Sequence, residues 1–67
     1  MKKKRISEAA FEQRLTRLLE RWLEHRGGGS VSTFEDAGVM TMNRGLVIEL
    51  TNRQEFQLTI VESTRRW

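Results

Sequence analysis

Residues 46–61, LVIELTNRQEFQLTIV, decide the fold. Leu46, Ile48 and Leu50 alternate with Val47, Glu49 and Thr51. After a polar break, Phe56, Leu58 and Ile60 alternate with Gln57, Thr59 and Val61. Side chains two apart share one face of a strand, so each apolar triplet lies on one side of a sheet. The break Asn52-Arg53-Gln54 reads as a turn that the Asn52 side chain closes, setting Leu50 opposite Phe56. Six large apolar side chains on one face need a cover, and the rest of the chain is read as supplying it.

Two turn signatures precede this hairpin, Asp36-Ala37-Gly38 and Asn43-Arg44-Gly45. A three-residue hairpin loop ends in a left-handed residue, where glycine costs least. Met42 then faces Leu46, Met40 faces Ile48 and Phe34, and Glu35 faces Val39. These registers extend the apolar face with Phe34, Met40 and Met42. The opposite face carries Thr33, Glu35, Val39, Thr41, Val47, Glu49, Gln57, Thr59 and Val61, a threonine- and valine-rich surface suited to contact. Residues 31–61 thus read as a four-stranded antiparallel meander with two free edges, which are sites for strand addition or dimer formation.

The cover is an amphipathic helix over residues 7–26. Phe11, Leu15, Leu18, Leu19, Trp22 and Leu23 fall on one stripe, roughly 140° wide at about 100° per residue. Ser7 is a suitable N-cap, Glu8 lies near the positive end of the helix dipole, His25 and Arg26 lie near its negative end, and Gly27 supplies a left-handed C-cap. On the polar side, Arg14, Arg17 and Arg21 line one flank, with Gln13, Glu20 and Glu24 along the other. Residues 27–30, GGGS, read as a flexible connection that lets the helix reverse across the sheet. The expected fold is therefore α+β, one N-terminal amphipathic helix on a four-stranded antiparallel β-meander (αββββ). Residues 1–6 form a basic tail expected to be disordered, 7–62 a single domain, and 63–67 a basic, aromatic tail.

Sixty-seven residues hold one small core, and 37% hydrophobic with 31% charged residues is ordinary for a globular chain. No apolar run approaches the roughly 20 residues of a membrane span, and the charged start has no apolar segment behind it, so no membrane and a cytoplasmic setting are expected. With no cysteine and one histidine, neither a disulfide nor a protein metal site is expected, nor a cofactor. The net charge of +3 conceals a division. Lys2, Lys3, Lys4, Arg5, Arg65 and Arg66 carry six of the twelve cations, which leaves six arginines against nine acids, or −3, in the body.

No catalytic constellation emerges. His25 lacks a nucleophile or paired acid at a recognisable spacing, and Gly27-Gly28-Gly29 follows a helix where a phosphate loop would open one. The chain is accordingly expected not to be an enzyme. Glu49 with Arg44 and Arg53 is the only group from which a nuclease-like site could be assembled. The leading expectation is a small non-catalytic interaction module, a homodimer, binding a protein partner through Arg14, Arg17, Arg21, Thr41, Val47, Thr59, Val61 and Trp67. In size alone, with no family motif behind it, the chain is like the inhibitors and adaptors of phage and mobile elements, anti-CRISPR proteins among them. The alternative is an auxiliary nucleic-acid binder holding phosphate with Lys2, Lys3, Lys4, Arg5, Arg65 and Arg66.

Overall fold

Ser7 opens the first helix as its position requires. In the computed structural model, which describes residues 5–63, the Ser7 hydroxyl accepts the Ala10 N–H at 3.1 Å, and α1 runs Glu8–His25. The helix closes on glycines. Gly28 N–H donates to the Leu23 carbonyl at 2.7 Å and Gly27 N–H to the Glu24 carbonyl at 3.4 Å, with Gly27 at φ 99°. This paired closure satisfies carbonyls that the helix end leaves free.

Among the described residues three strands follow, not four: β1 (Gly29–Thr33), β2 (Arg44–Leu50) and β3 (Glu55–Ile60). They form one antiparallel sheet with β2 at the centre, and β1 and β3 at its edges. The GGGS connection is shorter than expected, because Gly29 and Ser30 already pair with Leu50 and Glu49.

The missing strand lies at residues 34–43. Phe34–Ala37 is a one-turn helix, α2. Thr33 Oγ1 caps it by accepting the Asp36 N–H at 3.1 Å, and Gly38 ends it at φ 76°. Glu35 and Asp36 thus sit at the positive end of a helix turn. A type I turn followed by a left-handed glycine and a capped helical turn share nearly the same dihedral sequence, so one signature serves both. Without that hairpin, residues 39–43 form no strand, and Met40 and Met42 are 98% and 103% exposed instead of buried beneath α1.

Gly45 also changes role: it lies within β2, not in a turn. A Cβ at Gly45 would lie 2.2 Å from Phe34 Cε2, so the phenyl ring occupies the space a side chain would take. Thr33 pairs with Leu46, and alternation turns Phe34 to the face opposite α1. The expectation that Phe34 lies under the helix is thus reversed. Val47, expected to be exposed on that opposite face, is buried.

The β2–β3 hairpin keeps the expected faces but not the expected register. Ile48, not Leu50, faces Phe56, and Leu46 faces Leu58. The slip is by two residues, so every side chain keeps its side. Leu50 N–H donates to the Gln54 carbonyl at 2.8 Å and Arg53 N–H to the Leu50 carbonyl at 3.2 Å, closing the loop around residues 51–53. Asn52 does make the expected side-chain turn, its Oδ1 accepting the Gln54 N–H at 3.0 Å.

The core between α1 and the sheet consists of Leu23, Leu46 and Ile48, with Leu15, Leu19, Val31 and Leu50 packed around them. None of these residues comes from β3. Among the described residues, no helix is long and apolar enough to cross a membrane.

Candidate functional site: the uncovered face of β3

Strand spacing is about 4.8 Å and a helix with its side chains is about 10 Å across, so a single helix covers about two strands. Here those two are β1 and β2. Phe56 and Leu58 share the α1 side of the sheet with Ile48 and Leu46, yet they are 52% and 40% exposed. The expectation that the helix buries them is therefore corrected: the face is right, but the cover stops one strand short.

Two contacts set the direction in which α1 crosses the sheet. At its start, Glu62 N–H donates to Glu8 Oε2 at 2.9 Å, and Phe11 lines a hollow with Ile60 and Val61. At its end, Glu20, Leu23 and Glu24 line a second hollow with Ser30 and Val31 of β1. The Glu20 flank therefore looks toward β1. At about 100° per residue, Phe11, Leu18 and Trp22 cluster on the opposite flank, above β3. All three are about half exposed or more. By helix and strand periodicity, Phe56 and Leu58 floor an apolar groove that this flank of α1 walls on one side.

Arg14, Arg17 and Arg21 line a furrow with Ala10, Gln13 and Leu18, so the basic strip borders the apolar wall. Among the described residues, none of the three makes an ion pair. Arg44 does: its Nη1 lies 3.5 Å from Oε1 of Glu12, which is buried against the sheet. Arg26 stacks on Trp22, its guanidinium carbon 5.0 Å from the ring centroid.

The remaining sequence-derived candidates are scattered. Val47 is buried and presents nothing to a partner. Thr41 lies in the loop after α2, where its hydroxyl accepts the Asn43 N–H at 3.2 Å. Thr59 and Val61 are exposed at and just beyond the end of β3. Arg5 is engaged with Glu62 through a 2.7 Å ion pair. Lys2, Lys3, Lys4, Arg65, Arg66 and Trp67 lie outside the described residues. The nuclease-like group does not assemble: Glu49 and Arg53 share one shallow hollow, while Arg44 lies at the far end of β2, opposite Ile60. Among the described residues, no cluster of three histidine, cysteine or acidic side chains could hold a metal ion.

The groove residues Phe11, Leu18, Trp22, Phe56 and Leu58 were missed as a site because periodicity assigns them to the core. The missed signal is width, since a stripe of roughly 140° is broader than the roughly 100° that already faces a core, which leaves one flank of α1 to spare. No protein-family model, no curated protein and no solved structure matches the chain.

Proposed function

We propose that this chain is a small non-catalytic protein-interaction module whose contact surface is the groove between α1 and β3. The observation that supports this reading is the exposure of Phe11, Leu18 and Trp22 on one flank of α1 and of Phe56 and Leu58 on the same side of the sheet, beside a core of Leu23, Leu46 and Ile48. Large exposed apolar patches on small proteins mark interaction sites. Among the described residues no strand pairs with the outer edge of β3, which adds unpaired backbone groups to the same surface. An inhibitor or adaptor role of the kind found in phage and mobile elements is compatible with such a surface. The test is affinity capture from a cell extract with the wild type and with Phe56→Glu, which changes an exposed position. A protein retained by the wild type and lost with the variant is the expected result. An identical set of retained proteins overturns the reading.

A second reading is supported by the three arginines of α1, which make no ion pair among the described residues. They could join the lysines and arginines at the chain ends in holding nucleic-acid phosphate. Fluorescence anisotropy with single-stranded and duplex DNA and RNA, at low and physiological salt, decides it. Binding by phosphate contacts falls steeply as salt rises. Absence of binding at physiological salt removes this reading.

A further inference from the structure

Phe11, Leu15, Leu18 and Trp22 are spaced by four, three and four residues along α1. That spacing matches the seam of a two-helix coiled coil, with Phe11 and Leu18 at d, Trp22 at a, and Leu15, which packs on the core, at the other a position. Position e of this frame falls on Glu12 and Leu19, which face the sheet and core. Position g falls on Arg14 and Arg21, which line the open furrow beside Leu18. The one accessible border of the seam is therefore basic in both heptads.

The space beside the seam lies over β3. Packed helix axes lie about 8–10 Å apart, so a helix beside α1 would sit over β3 and overhang the strand's outer edge. A helix lying there would rest on Phe56 and Leu58 and pack its side against Phe11, Leu18 and Trp22. Polar charge then decides which helix. A second copy of α1 packed antiparallel would set g against g, that is Arg14 and Arg21 against arginines, a like-charge arrangement that disfavours the pair. A helix with glutamate or aspartate along its border would meet both arginines with opposite charge.

We infer that the groove takes an amphipathic helix of another protein with a heptad-spaced apolar seam and an acidic border. This rests on the reading of the groove as the contact surface and names its occupant. Phe56 and Leu58 supply affinity by desolvation, and Arg14 and Arg21 supply partner choice.

The probe is a synthetic peptide of about three heptads with leucine at both seam positions and glutamate at the bordering positions. Its sister carries lysine at the borders. Binding is followed by Trp22 fluorescence in a Trp67→Phe background. The glutamate peptide is expected to saturate the signal and to bind at least about tenfold more tightly than the lysine peptide, a gap that narrows as salt screens the borders. The double substitution Arg14→Glu with Arg21→Glu is expected to reverse the order. Both residues are exposed, and circular dichroism confirms that the fold is kept. Equal affinities, an unreversed order, or no saturation by either peptide up to about 1 mM overturns the inference. So does a dimer, seen by sedimentation equilibrium, that Phe56→Glu dissolves, since the occupant is then a second copy. If neither peptide binds but the wild type captures a protein that Phe56→Glu loses, the contact surface stands and its acidic helical occupant falls.

Discussion

Arg53 holds φ at 73°, the one non-glycine residue with a positive φ among the described residues. The left-handed region brings Cβ close to the following carbonyl and costs about 1–2 kcal/mol outside glycine. The loop needs that conformation so that Leu50 can bond both Arg53 and Gln54. Arg53→Gly is therefore expected to raise unfolding stability by about 1 kcal/mol in urea titration, the relieved strain being partly offset by the greater freedom of glycine in the unfolded chain. Gly45 makes the opposite case. Its φ is ordinary for a strand, but an added Cβ would lie 2.2 Å from the Phe34 ring and 2.5 Å from the Leu58 carbonyl oxygen. The ring could swing away, but the backbone oxygen is held in the ladder. Gly45→Ala is expected to cost about 1–3 kcal/mol by overpacking, or more if Phe34 leaves its site. Paired with Phe34→Ala, the same substitution should cost less than the sum of the two singles, because the shortened side chain vacates the space.

At the scale of elements, β3 has one bonded edge and, among the described residues, one open edge. Leu50 bonds Gln54, so alternation along the antiparallel ladder points the backbone groups of Phe56, Leu58 and Ile60 toward β2, and those of Gln57 and Thr59 outward. Proline lacks the N–H and is tolerated only where no ladder bond is lost. Gln57→Pro should therefore remain folded, while Leu58→Pro loses a ladder bond and should destabilise the chain far more, as thermal unfolding followed by circular dichroism would show. This ladder was half legible in the sequence. The alternation of Leu46, Ile48, Phe56 and Leu58 set the faces correctly because the period of two is a local property. It could not set the register, since a slip of two residues leaves every face unchanged. The α1 boundaries were legible because Ser7 and Gly27 each have one good structural use. Residues 34–43 were not, because Thr33, Asp36 and Gly38 serve a capped helical turn as well as a hairpin. The choice between those two lies in the packing of Phe34 on Gly45, about ten residues away in sequence. The groove was illegible for a related reason. An apolar residue that awaits a partner and one that fills a core look alike to periodicity, and only the observed width of the sheet separates Phe56 from Ile48.

For the molecule as a whole, the consequence is a core much smaller than its apolar content. Of the large apolar side chains among the described residues, only Leu23, Phe34, Leu46, Val47, Ile48 and Ile60 are buried, while Phe11, Leu18, Trp22 and Phe56 remain near half exposure or above. Domains of this size hold only about 3–5 kcal/mol of stability from a single core. Leu46 is the most enclosed of the buried residues, at 0% exposure, and Leu46→Ala is expected to cost about 2–5 kcal/mol, enough to leave much of the population unfolded at room temperature. Leu18→Ala removes the same atoms from a side chain that is 60% exposed, and it should shift stability by less than about 1 kcal/mol. Urea unfolding of the two variants measures the contrast directly. If Leu18→Ala destabilised the chain as much as Leu46→Ala, the flank of α1 would be covered in solution, and the groove could not be an open contact surface. If the contrast holds, the apolar surface along α1 and β3 contributes little to the isolated fold, and its free energy remains available for binding.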